Sequence, residues 1–421
     1  MLTRKEFLRV IAGAAAAPFA DTLWPGLVHA AAQLPQPASP DLLGRIGRLI
    51  EEYDAQGIHR TGTTVDTQSA SWLLKRAIEA GADGQLSMFS LGRVDVQTAH
   101  LDTDGRQVPG LPLFDGTFTD ARGLEGRLVL PAASGDFALL TADGAGITSE
   151  GRGLSELRKS GRFKAIVVVT QGAHAGLSPM NAADFATPYG CPVLQVGSEA
   201  GPWLQERATA GRTARFVAHA TRTNTEAFNV VGAVAGSRPE LPPVVVMTPR
   251  SGWWQCASER GGGIASWMET IRAVRAARAP RTVRFIASSG HELGHFGLDA
   301  WLDSQPGLIK RAAAWIHLGA NIGAAGGRAR LQASSDEIES LASAAMERAG
   351  TPVQQRLARG TVPGGEARNI HVGGGRYVSL LGSSPVFHSE ADRWPTAVDV
   401  PAIGRYAAAI ADLTVALARQ I

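Results

Sequence analysis

From Asn229 onward the chain alternates short runs of β-type apolar residues with longer stretches of helical periodicity, and this alternation limits the possible folds more than any other feature. Val244-Val245-Val246-Met247-Thr248 reads as a strand buried on both faces. Ile264, Trp267, Met268, Ile271 and Val274 then recur at helical spacing, and Pro280 closes that stretch. Residues 282–287 and 312–318 read as two further strands. A long helix from about Ala402 carries Ile403, Tyr406, Ala407, Ile410 and Leu413 on one stripe. The expected fold class is α/β: a mostly parallel mixed sheet flanked by helices. Such sheets bind ligands beyond the carboxyl ends of their strands, here just after Met247, Ala287 and Leu318.

Upstream the pattern differs. Residues 42–53 and 69–80 read as helices, with the polar turn His59-Arg60-Thr61-Gly62 between them. From about Val94 come short β-like runs separated by Gly, Asp and Pro, including the buried-type run Ala-Ile-Val-Val-Val-Thr at 165–170. The expected organisation is an α/β domain over 31–99 and 222–421, interrupted by a small β-rich insert over 100–221. Residues 31–40 read as a linker. Residues 1–30 read as an export signal: a basic start with Arg4, Lys5 and Arg9, an apolar run, and Val28-His29-Ala30. Arg4-Lys5-Glu6-Phe7-Leu8 is similar to a twin-arginine signal with Lys in the second position. The expectation is a periplasmic or secreted protein with no stable membrane span once the signal is removed. The net charge is only +3 and Lys and Arg form no block, so no nucleic-acid footprint is expected. Cys191 and Cys256 are the only cysteines, and the sequence leaves their pairing open.

The order of landmarks from Asn229 resembles metallopeptidase family 28, the bacterial leucine-aminopeptidase type. Asn229-Val230-Val231-Gly232, the Val244 strand, Glu259-Arg260-Gly261-Gly262-Gly263, His291-Glu292-Leu293-Gly294 and Phe387-His388 follow in the family's order. The insert is similar to the protease-associated insert that members often carry. The resemblance implies a zinc-aminopeptidase fold and amide-bond hydrolysis on a small peptide or amino-acid-like ligand. It also implies changes at the site. Pro249 stands where the family has its first His ligand, Ser251 where it has the Asp orienting that His, and Gly319 where it has an Asp ligand. Glu259 takes the place of the bridging Asp and His291 that of the general-base Glu. Glu292 and His388 match the remaining ligands. Both ligands private to one metal are therefore gone, and the resemblance leaves one zinc with Glu259, Glu292 and His388 as its set.

His291 can serve as the base, because an imidazole titrates near neutrality, or as a fourth ligand that closes the site. Arg260 or Arg250 could instead bring a guanidinium to Glu259 and occupy the metal's space. Trp253 and Trp254 are candidate walls of a substrate pocket that also includes Arg250, Arg260 and His317. His291-Glu292-Leu293-Gly294-His295 matches HExxH, but Gly290, Gly294 and Gly297 argue against the helix that motif needs. Three functions follow as expectations: a one-zinc hydrolase, a non-catalytic binding protein of the same fold, and a glutaminyl-cyclase-like acyltransferase.

Overall fold

The structure, a computed structural model, describes residues 39–142, 148–149, 151 and 153–420. The export signal expected over 1–30, and all but the end of the linker, lie outside these residues. The described residues form one compact unit.

Two helices open the described chain, α1 (Pro40–Ala55) and α2 (Thr64–Glu79). Each starts where a hydroxyl accepts a hydrogen bond from an otherwise unpaired backbone amide: Ser39 from Leu42 and Thr63 from Asp66. The chain then runs into β1 (Asp83–Thr103), β2 (Arg106–Pro112), β3 (Leu124–Val129), β4 (Phe137–Ala142), α3 (Leu154–Lys159), β5 (Ala165–Thr170), β6 (Val193–Val196), α4 (Gly201–Thr209) and β7 (Thr213–Val234). The α/β half follows with β8 (Val244–Pro249), α5 (Ala257–Ala277), β9 (Val283–Ser288), α6 (Phe296–Asp303), α7 (Leu308–Arg311) and β10 (Ala314–Leu318). It closes with β11 (Ala329–Ala333), α8 (Asp336–Arg348), β12 (Gln355–Arg356), α9 (Ala367–Val372), β13 (Tyr377–Gly382) and α10 (Val400–Arg419).

The centre of the sheet is parallel, in the order β9-β8-β10-β13, with β7 and β11 antiparallel on either side. The expected mixed, mostly parallel sheet is thus present. Residues of β8 explain why the run has no polar alternation. Val244 and Val246 pack with Trp267, Ile271 and Leu413 on one face. Val245 and Met247 pack with Leu298, Trp301 and Ile370 on the other. Helix α10 is the one described helix long and apolar enough to cross a membrane. Its Ile403 and Ala407 pack with Ile46 and Ile50 of α1, and its Ile410 and Leu413 share a core with Trp267 and Ile271 of α5.

The β-rich region departs from the short runs expected. β1 and β7 form one long antiparallel ribbon from Asp83↔Ala233 to Thr103↔Ala214, with a bulge at Val96/Thr98. One end belongs to the main sheet, where β7 pairs with β9. At the other end, Leu101, Phe216 and Ala218 pack with Leu128, Val167 and Leu194 of strands in the order β2-β6-β5-β4-β3. The ribbon's surroundings change along its length, so no single alternation of apolar and polar residues marks it. Cys191 and Cys256 are both free thiols.

Candidate functional site

The polar residues singled out in the sequence gather at the carboxyl ends of β8, β9 and β10. Two glycines of α5 bring the helix close to that edge. A Cβ on Gly262 would lie 1.8 Å from the Ile322 carbonyl oxygen, and one on Gly263 would lie 2.6 Å from Thr248 Oγ1. Helix α5 begins at Cys256, which has left-handed backbone (φ 59°) and gives no side-chain cap. Asp392 caps it from a distance instead. Its carboxylate accepts from the amides of Ser258 (2.6 Å) and Glu259 (2.9 Å). Burial pushes this carboxyl up to about 7, with Glu259 adding to the rise while the two amides oppose it.

The first turn of α5 thereby carries Glu259 and Arg260 into the interior, both about 1% exposed. Arg260 Nη2 lies 2.7 Å from Glu259 Oε1. Its Nε donates to the Ser251 carbonyl at 2.6 Å. His388 Nε2 approaches the same Glu259 oxygen at 3.5 Å. Burial alone would push Glu259 up, but Arg260 and then His388 outweigh it and bring the carboxyl down to about 2. Of the two sequence alternatives for this carboxylate, the guanidinium is the one beside it, and it comes from Arg260.

Glu292 lies in a short turn rather than a zincin helix. Residues His291–Leu293 form a single 3-10 turn between Gly290 and Gly294, both with left-handed backbone (φ 86° and 71°). Both carboxylate oxygens of Glu292 accept hydrogen bonds. Oε1 accepts from the Thr61 amide (2.8 Å) and hydroxyl (2.6 Å), and Oε2 from Ser251 Oγ (2.7 Å). Ser251 and Thr61 also accept from the Gly290 amide, so the turn is tied down on both sides. Half-buried Arg60 and buried Arg260 both interact electrostatically with Glu292.

His291 is held well below the ordinary histidine range, first by burial and next by Arg260. Its Nδ1 stands 3.5 Å from Glu366 Oε1. His317 is also buried, and burial holds it at about 3; its Nδ1 contacts Ser379 Oγ at 2.8 Å. Arg250 is not at this centre. It pairs with Asp66, Nη1 to Oδ1 at 2.8 Å. Trp253 packs edge-on against Phe114 and donates to Asn181, while Trp254 donates to the His388 carbonyl. The two indoles thus join Phe114, Asn181 and the final loop to the site's surroundings rather than lining an open pocket.

Glu366, Asp66, Thr61 and Asp392 escaped the sequence reading. Thr61 alone carried a signal, as part of a polar turn; the others belong to no motif, and their partners lie far away in the chain. Two backbone groups of residues 179–182 reach the site. The Pro179 carbonyl accepts from His388 Nδ1 at 2.7 Å, and the Ala182 amide donates to the Glu292 carbonyl at 2.8 Å.

The two positions where the sequence lacks ligands are occupied by other groups. Pro249 ends β8 in register with Ser288. At Gly319 a Cβ would lie 2.2 Å from Leu381 Cδ2 and 2.8 Å from His317 Cε1. Among the described residues, no group of three or more His, Cys, Asp and Glu is arranged to hold a metal ion. Glu259 and His388 come together, whereas Glu292 has both oxygens engaged by hydroxyls and an amide. As arranged, these donors do not fit a zinc ion.

No protein-family model and no curated protein matches the sequence. Solved structures do match the fold. A zinc aminopeptidase from Bacillus subtilis superposes with a TM-score of 0.75 at 17% identity, covering 90% of this chain and 95% of that one. An aminopeptidase from Aneurinibacillus sp. strain AM-1 gives 0.69 at 14% identity, over 90% and 94%. A peptidase M28 precursor from Shewanella amazonensis gives 0.71 at 14% identity, over 90% and 96%. The chain therefore shares the fold of the zinc aminopeptidases, a peptidase-like hydrolase fold.

Proposed function

We infer that this chain is an exported binding protein built on the aminopeptidase fold, working without zinc and holding a small peptide or amino-acid-like ligand. Export rests on residues 1–30 and the insert assignment on the β-rich stretch 100–221. The observation that carries the metal-free reading is Arg260. A permanently charged guanidinium lies beside Glu259, the carboxylate that a bridging metal would need. A cation fixed by the chain neutralises that carboxylate, so no metal is required to balance it.

A ligand, rather than a decayed relic, is favoured by the site's unpaired atoms. Glu259 Oε1, both Nη atoms of Arg260, His291 Nδ1, His317 Nε2, Glu366 Oε2 and His388 Nε2 are all buried without a hydrogen-bond partner. Each such atom costs about 1–3 kcal/mol, and folded interiors contain few of them. Their concentration around one centre is what a site awaiting a polar guest would have.

One observation favours a second reading, a one-zinc hydrolase with His291 as base. His388 gives Nδ1 to a backbone carbonyl and leaves Nε2 free, as a metal-binding histidine does. The same experiment separates the two. Elemental analysis of the purified full chain should find zinc far below one ion per chain, with a melting temperature unmoved by a chelator. One zinc per chain, with amide hydrolysis lost on chelation, would overturn the metal-free reading.

A further inference from the structure

A cavity of about 330 Å³ lies between the turn that follows β10, residues 350–354 and the first turns of α10. Glycine lets the chain build it. A Cβ on Gly323 would lie 2.3 Å from Ile403 Cγ1, so only a bare glycine allows the turn to press against α10. Gly323 and Gly326 both have left-handed backbone (φ 69°) and fold the turn back on itself. Asn321, left-handed as well (φ 63°), forms part of the wall. Its backbone is fixed at both ends: its amide donates to the Glu259 carbonyl at 3.1 Å, and its carbonyl accepts from the Ala324 amide at 3.3 Å.

The side chains of this wall are largely unspent. Asn321 is 3% exposed, its Oδ1 is buried without a partner, and neither end of its side-chain amide is bonded among the described residues. Two guanidinium side chains line the same cavity, half-buried Arg405 on α10 and exposed Arg328 at the end of the turn. Among the described residues, neither guanidinium makes a hydrogen bond or an ion pair. Tyr406, 6% exposed, lines the cavity with its hydroxyl likewise unpartnered. Asp399, the one acid among the lining residues, is already engaged: it caps α10 by accepting from the Ala402 amide at 2.9 Å. Two arginines against one aspartate leave the cavity positive.

The chemistry of the guest follows from these groups. A buried polar group without a partner costs about 1–3 kcal/mol. Water would satisfy the Asn321 amide but would leave the excess positive charge unmatched. A guanidinium can only donate, and its planar fork matches the paired oxygens of a carboxylate or phosphate. The Asn321 amide, held at neither end, is free to turn its N–H groups toward the same acceptor, and the Tyr406 hydroxyl also donates. The volume is that of a small-molecule site rather than of a bare ion.

We propose that this cavity binds the oxyanion group, carboxylate or phosphate, of a small organic molecule. Arg405 and Arg328 meet its charge, and the Asn321 amide and Tyr406 hydroxyl meet it from the buried side. The site is separate from the one centred on Glu259 and does not depend on the function proposed above.

The test is equilibrium dialysis of the full chain against labelled inorganic phosphate, and separately against labelled acetate, in chloride buffer of fixed ionic strength. At least one of the two should bind saturably, at one ion per chain. Phosphate alone identifies a phosphorylated ligand, acetate alone a carboxylic acid, and binding of both the shared oxyanion chemistry. Arg405→Gln should weaken the binding about tenfold or more, the loss expected for a charged hydrogen bond. Asn321→Gly keeps a residue suited to left-handed backbone while deleting the amide; it should weaken binding about threefold or more and serves if the arginine variant fails to fold. Binding of neither ion, or unchanged binding in a folded Arg405→Gln protein, would overturn the proposal. So would binding that Arg260→Met abolishes and Arg405→Gln spares, which would put the ion at the Glu259 centre.

Discussion

Two buried arginine–carboxylate pairs lie near the same edge of the sheet, and they are finished differently. In the first, Arg250 Nη1 donates to Asp66 Oδ1 and to the Asp66 carbonyl, and Nη2 donates to the Phe228 carbonyl. Asp66 Oδ2 in turn accepts from the Gly62 amide and Ser289 Oγ. In the second, Arg260 is held through Nε alone; its two Nη atoms and the facing Glu259 oxygen are close but not aligned as a hydrogen bond. The first pair is thus tied down on both sides with only Arg250 Nε left over, whereas the second is held by one aligned hydrogen bond. The two differ in how many of their polar atoms find a partner, and a third buried pair, Arg158 with Asp115, is also left partly unsatisfied away from this edge.

The largest expected effect tests that contrast directly. Arg250→Met strands Asp66 in the interior and should cost about 3–5 kcal/mol of stability, read from urea unfolding. Arg260→Met removes one aligned hydrogen bond and the main positive neighbour of Glu259, whose carboxyl can then take a proton beside His388, so it should cost less than Arg250→Met. Equal costs would break the comparison. A smaller effect sharpens it from the side of the lost ligands. Gly319→Asp pushes a side chain into Leu381 and His317 and should cost about 1–3 kcal/mol without adding zinc to the purified protein. Leu381→Ala on that background should recover part of the loss. If Gly319→Asp gains a metal ion at full stability, that position is not closed as described here.

The last test reads the acid limb of stability. Burial, with Arg250 second, holds His59 at about 3 against an ordinary 6.5, and burial does the same for His317. Folding keeps both rings neutral while the unfolded chain takes up protons, so stability falls as pH drops from 6.5 toward 3. Glu259, held at about 2 against 4.5, adds stability above 4.5 that is lost as pH falls toward 2. Unfolding measured across pH should show Glu259→Gln removing only the lower window. Loss of the upper window in that variant would contradict the assignment.

The fold was readable because strands buried on both faces and one helical stripe leave few architectures open. The site was readable wherever chemistry sits beside a strand end, as Glu259, Arg260, His291 and Glu292 do. Arg250 was placed at the right edge but without its partner, because Asp66 lies 184 residues earlier and only the fold brings them together. Glu366 was invisible for the same reason: its meaning comes from His291 and His317, not from Gly364-Gly365 before it. Trp253 looked like a pocket wall and packs on Phe114, which nothing in its neighbours in sequence announces.

The hold of residues 179–182 on the site has a kinetic meaning. A molecule held behind Pro179 and Ala182 would leave once their bonds to His388 Nδ1 and the Glu292 carbonyl part. Residence time would then be set by how often that segment lifts, and amide hydrogen exchange at Ala182 would clock it.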